Sequence, residues 1–205
     1  LVVNHEYTTE PFMFADYDPD DPTEEQVRIG IAGHGLSVVQ VKGEPGTGRL
    51  TPEFGEYNRR ITGTTELLLA GPAAGSDLLK TTADPTGTRV AGTFNNCAGG
   101  LTPWGTVLSG EENFDQYFAN AESVTDPVVA ERLARYGLEG ADTERKWERF
   151  DNRFDIAAEP NEVNRFGWIV EIDPWDPNSV PVKHTALGRF KHEAATVHIT
   201  GDGTV

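Results

Sequence analysis

Apolar and β-branched residues along this chain come in short runs separated by polar stretches. The runs Leu1–Val3, Leu36–Lys42, Glu66–Ala70, Arg89–Phe94, Thr106–Ser109, Trp168–Ile172, Val182–Leu187 and Ala195–Thr200 alternate in part at a period of two and read as strands. Turn residues punctuate them densely: there are 22 Gly and 13 Pro, with Pro45-Gly46, Asp84-Pro85-Thr86-Gly87, Asp173-Pro174 and Asp176-Pro177 at the changes of direction. Many short strands with such turns predict a mainly β fold: a sandwich, a barrel or a propeller. No repeat at about 40–50 residues selects among these.

Two stretches break the pattern. Asp16–Gln26 is acidic and carries Pro19 and Pro22, which predicts an exposed loop or a short helical start. Its Asp16-Tyr17-Asp18-Pro19-Asp20-Asp21 lacks the spacing and closing glutamate of an EF-hand. The second stretch, at about 113–152, predicts a helical insertion. Asp126 can cap a helix, Pro127 fits its first turn, and Gly137 or Gly140 can end it. Val129, Leu133 and Tyr136 recur at three- and four-residue steps and give it one apolar stripe. A second helical piece is expected over Asp142–Arg149, anchored by Trp147.

Charge narrows the function classes. Lys plus Arg number 17 against 33 Asp plus Glu, a formal charge of −16. Like-charge repulsion argues against nucleic acid or an anionic membrane surface as partner, and favours bound cations. No apolar run approaches the roughly 20 residues that span a bilayer. The opening Leu1-Val2-Val3 is strand-like, and Asp202-Gly203 reads as a hairpin turn whose second strand has barely begun. The chain is therefore expected to be part of something longer, with the remaining C-terminal part of the same domain as its partner. Alone, it should be aggregation-prone and inactive.

The stretch richest in chemistry is Asn95-Asn96-Cys97-Ala98-Gly99-Gly100, followed by Pro103-Trp104-Gly105 and Gly110-Glu111-Glu112-Asn113. A lone cysteine cannot close an internal disulfide, which leaves packing, nucleophilic or metal-ligand roles. Gly99-Gly100 allows a flexible turn, and a strand over Thr106–Ser109 would return Glu111 and Glu112 towards the thiol. Thiolate with carboxylate suits a transition metal beside calcium. No P-loop spacing and no nucleophile-elbow glycine before Ser109 is present.

This block resembles the signature of the PhoX-type alkaline phosphatases, calcium- and iron-dependent phosphomonoesterases of bacteria. Leu1-Val2-Val3-Asn4-His5-Glu6-Tyr7, Asp151-Asn152-Arg153-Phe154-Asp155, the run Glu159–Pro174 and Gly188-Arg189-Phe190-Lys191-His192-Glu193-Ala194-Ala195 resemble further parts of that family, in the same order. The resemblance implies a partial β-propeller domain over residues 1–205, Fe3+ and Ca2+ as cofactors, small phosphate esters as substrates, and export to the periplasm or beyond. It also implies that Cys97, Glu112 and Glu193 hold the metal cluster and carry catalysis, with Cys97 on iron, and that Glu6 ligates calcium. Glu111 is carried in the ligand set too. On a regular strand it would face away from Glu112, so only a turn of the backbone brings both to one ion.

His5 is a possible ligand or supporting group beside Glu6, His192 is expected to make a structural hydrogen bond, and His34, between two glycines, could approach substrate. His184 and His198 read as ordinary strand positions, and Arg165, Arg189 and Lys191 lie near the matched motifs without an argument of their own for binding phosphate. Two other readings keep the fold and change the chemistry: a non-catalytic calcium-stabilised propeller binding module, and a calcium-dependent propeller lactonase. Iron separates both from the phosphatase.

Overall fold

A computed structural model describes residues 1–204. In chain order the strands are β1 (Val2–His5), β2 (Gly35–Val38), β3 (Val41–Gly43), β4 (Leu50–Pro52), β5 (Arg59–Ile61), β6 (Glu66–Ala70), β7 (Arg89–Ala91), β8 (Asn96–Leu101), β9 (Val107–Glu111), β10 (Ile169–Ile172) and β11 (Val182–His184). They form an antiparallel sheet β1-β2-β5, a hairpin β3-β4, and a six-stranded sheet in the order β7-β6-β11-β10-β9-β8. Within the larger sheet β8 to β11 pair antiparallel in sequence order, and β11 lies parallel to β6. The fold is mainly sheet with few helices, as the strand pattern predicts.

Among the described residues the α-helices are α1 (Glu10–Met13), α2 (Glu24–Gly33) and α3 (Pro127–Ala134). For α3 the expected devices operate. The Asp126 carboxylate accepts from the amides of Val128 and Val129, Pro127 opens the first turn, and Leu133 is buried. Gly137, at φ +86°, closes it. The rest of the predicted helical insertion is short 3-10 turns and loop, and the piece expected over Asp142–Arg149 reduces to a single turn at Trp147–Arg149. Trp147 still acts as the anchor, at 1% exposure.

Helix α2 is longer than the sequence reading allowed. Thr23 and Gln26 form a reciprocal capping box, and Val27 and Ile31, one turn apart, face the core. The strand expected over Ala195–Thr200 does not form; residues 191–200 run without regular structure. A turn does form at Asp202-Gly203, where the Thr200 amide donates to the Thr204 carbonyl (2.9 Å). Val205, at which its second strand was expected, lies outside the described residues.

The core is aromatic. Phe94 packs on Phe166 at 4.8 Å and Trp147 stacks on Tyr117 at 4.6 Å, with Phe154 against both Phe94 and Trp147. Each fully buried ring contributes roughly 1.5–3 kcal/mol from burial and each such pair about 0.5–1.5 kcal/mol more. His34 sits inside this cluster with edge contacts to Phe94, Tyr117 and Trp147 and is fully buried, so the expectation that it approaches substrate is not met. Its Nδ1 meets the Gly30 carbonyl at 2.7 Å.

Burial pushes the His34 pKa down to about 4. The unfolded chain takes up that proton near pH 6.5 and the folded chain only near pH 4. Stability is therefore present above the unfolded value and is lost as pH falls between the two, by about 3 kcal/mol. Chemical denaturation at pH 7 and pH 4.5 should show a smaller difference for His34→Leu than for the wild type. Equal differences would show that His34 does not carry this dependence.

Candidate metal centre

Alternation along β8 and β9 sorts the site residues onto two faces. Asn96 lies opposite Glu111 in the register, and both side chains are fully buried in the core. The next residues along, Cys97 and Glu112, therefore point the other way. Between Asn96 and Gly99 the β8 strand carries one residue more than β9, a bulge that re-aims Cys97 at a sheet rim. Gly99 and Gly100, expected in a flexible turn, lie within β8 instead. A Cβ on Gly99 would stand 1.8 Å from the Leu108 carbonyl oxygen, so this register excludes any side chain there.

Strand β1 brings the third group. The Asn4 Nδ2 donates to the Cys97 carbonyl (2.9 Å), locking β1 against β8. Glu6 follows at the exit of β1, and the chain beyond it is pinned where Arg145 donates to the Thr8 carbonyl (3.1 Å) and pairs with Glu10 (2.8 Å). One ligand atom each of Glu6, Cys97 and Glu112 lies within 4.8 Å of the other two. All three side chains are partly buried.

The local electrostatics are those of crowded acidic groups. The Cys97 thiol is pushed up to about 11, first by burial and then by the charges of Glu6 and Glu112. Glu6 is raised by burial, then by Glu112, with Glu193 adding to it. Among the described residues no lysine or arginine forms an ion pair with Glu6, Glu112 or Glu193.

Glu193 stands beside this group without being part of it. Residues 190–193 cross the rim where β8 and β9 part: His192 N donates to the Glu111 carbonyl (3.0 Å) and Ala98 N to the Glu193 carbonyl (2.8 Å). Gly110 makes the crossing possible, since a Cβ there would lie 2.4 Å from the His192 carbonyl oxygen. Gly110→Ala should destabilise the protein by about 1–3 kcal/mol through that backbone clash. It should also speed hydrogen exchange at the Ala98 amide. Wild-type exchange and melting would show that the crossing tolerates displacement.

Glu111, expected as a ligand, is held elsewhere. Its Oε1 accepts from Thr93 Oγ1 (2.7 Å) and pairs with Lys183 Nζ (2.7 Å), and its Oε2 accepts from the amides of Gly167 (2.9 Å) and Trp168 (3.1 Å). The backbone does not turn at Glu111-Glu112, so strand alternation separates the two carboxylates. His5 meets Ser37 at 2.7 Å, and His192 meets the Gly188 carbonyl at 3.0 Å, the structural bond expected of it. His184 pairs with Glu171 at 2.6 Å. The basic residues near the motifs are engaged too: Arg165 with Glu162, Arg189 with the Phe166 and Val163 carbonyls, and Lys191 with Asp115.

Three residues that position the site had no sequence argument. Asn95 adopts the left-handed conformation at φ 54°. Its carbonyl accepts from Glu112 N (3.0 Å) and its Oδ1 from Asn113 N (2.7 Å), so it aims Glu112. An Asn-Asn pair before a strand was the available signal, because asparagine tolerates that conformation. Lys183 is fully buried, and its pKa is depressed by desolvation to about 8. Ser109, considered only as a nucleophile, is buried beneath the site and donates to Asn4 Oδ1 (3.2 Å).

No curated protein sequence matches the chain. Among solved structures it is similar to one described as Pseudomonas fluorescens PhoX in complex with vanadate, a transition state analogue, at 47% identity and a TM-score of 0.88. That match covers 98% of this chain and 34% of the other, so the chain spans about a third of its relative's length. A family profile described as alkaline phosphatase PhoX matches residues 1–205, and the chain belongs to the PhoX alkaline phosphatase family.

Proposed function

We propose that the full-length protein hydrolyses phosphate monoesters at a centre of ferric and calcium ions held in part by Cys97, Glu6 and Glu112, with Glu193 beside them. The observation that carries this reading is the convergence of one thiol and two carboxylates from three separate segments within 4.8 Å. Two carboxylates so close repel each other and hold the thiol in its protonated form unless cations neutralise them. The donor set fits the proposed pair, because a thiolate suits a transition metal and carboxylates suit calcium. Bound there, such ions would supply Lewis acidity and charge neutralisation for phosphoryl oxygens.

The chain's own residues do the rest. Cys97 acts as thiolate, Glu6 and Glu112 hold their carboxylates towards the same point, and Asn95 keeps Glu112 aimed through its backbone amide. The relative is described with vanadate as a transition state analogue. That supports phosphoryl transfer as the reaction class here. We read the antiparallel run β8-β9-β10-β11 as one four-stranded propeller blade. Among the described residues no helix is long and apolar enough to cross a membrane, and membership of the family supports a periplasmic or extracellular location.

Metal analysis of the full-length protein should find both iron and calcium. Hydrolysis of a chromogenic phosphate monoester should stop on chelation and return when both metals are restored. Calcium without iron, or hydrolysis indifferent to chelation, would overturn the proposal.

A further inference from the structure

Beneath the three converging side chains runs a continuous hydrogen-bonded network that includes the residues just before Cys97 and Glu112 and reaches β1 two residues before Glu6. Lys183 Nζ, fully buried over the Phe166 ring, pairs with Glu111 Oε1 (2.7 Å) and donates to the Arg165 carbonyl (3.0 Å). Thr93 Oγ1 donates to the same Glu111 oxygen (2.7 Å) and accepts from Asn96 Nδ2 (2.9 Å). Asn96 Nδ2 also reaches Ser109 Oγ (3.3 Å), Ser109 Oγ donates to Asn4 Oδ1 (3.2 Å), and Asn4 Nδ2 donates to the Cys97 carbonyl (2.9 Å). Thr93, Asn96, Ser109, Glu111 and Lys183 are all fully buried.

Asn4 lies two residues before Glu6, Asn96 one before Cys97, and Glu111 one before Glu112. Strand alternation turns Asn96 and Glu111 inward and Cys97 and Glu112 outward, while Asn4 ties β1, which leads into Glu6, to the Cys97 carbonyl, so the buried network braces the backbone that carries the ligand atoms. Among the described residues of this network the one formal cation is Lys183, which holds the Glu111 carboxylate in place at a depth where an unpaired charge is costly.

We propose that Lys183 and the chain Glu111–Thr93–Asn96–Ser109–Asn4 form a positioning element that sets the separation of Glu6, Cys97 and Glu112 before any cation binds. This rests on the reading of those three as metal ligands. Cobalt(II) is a suitable probe, because a thiolate bond to it gives a charge-transfer band that reports Cys97 directly. Full-length protein stripped of metal would be titrated with Co2+ well below its melting temperature, with the folded fraction checked by circular dichroism. In Lys183→Met, the affinity read from that band should fall about 10- to 100-fold while the folded fraction stays that of the wild type.

Ser109→Ala removes the link to β1 without leaving a charge behind, and it should weaken binding by about tenfold. It decides the matter if Lys183→Met does not fold. Wild-type Co2+ affinity in folded Lys183→Met, or in Ser109→Ala, would overturn the positioning role and leave the chain as fold support only. Absence of the thiolate band in the wild type would instead overturn the assignment of Cys97 as a ligand, and this proposal with it.

Discussion

Replacing Cys97 by serine should lower hydrolysis of a chromogenic phosphate monoester by at least about 100-fold, with loss of iron and retention of most calcium. The physical reason is ligand softness. A serine hydroxyl at this position is a poor donor to a transition metal, whereas Glu6 and Glu112 keep the hard oxygens that calcium prefers. The substitution is close to isosteric, and Cys97 is outside the buried hydrophobic cluster of the described residues, so melting of the metal-free protein should change little. Metal content and activity must be measured on the same preparation. Full activity with iron retained would remove the thiol from the site. Activity lost together with calcium and fold would assign Cys97 a structural role instead.

Breaking the buried ion pair has the largest expected effect on stability. Lys183→Met in the full-length protein should cost about 3–5 kcal/mol, because it leaves the Glu111 carboxylate fully buried with no cation against it. The double variant Lys183→Met with Glu111→Gln should recover most of that loss. A neutral amide oxygen still accepts from the Gly167 and Trp168 amides, and no unpaired charge remains. Denaturant unfolding of the two variants and the wild type measures this directly. A single-variant cost below about 1 kcal/mol would mean that water or a rearranged partner reaches Glu111, and the pair would not be the buried anchor argued for here.

Local chemistry that a short window contains was legible in the sequence. The Asp126-Pro127 start of α3, its stop at Gly137, most of the strands and the mainly β class all follow from capping, turn and alternation rules that act over a few residues. Helix α2 was also legible in principle: Thr23-Glu24-Glu25-Gln26 is a capping box, but the acidic, proline-bearing run before it suggested a loop. The strand expected over Ala195–Thr200 fails because β-branched residues state a preference, and among the described residues no edge pairs with them as a ladder.

For the site, the sequence by itself determined that a thiol and several carboxylates occur in a family-specific order, and that Glu111 and Glu112 cannot share a face of a regular strand. Only the tertiary structure decided which carboxylate faces the thiol, that Glu6 joins it from 91 positions away in the chain, and that Glu193 stands to the side. It alone revealed that Lys183 lies under the site. The reason is physical: alternation and capping are properties of neighbouring residues, whereas the partner of a buried charge is set by which strands come to lie side by side.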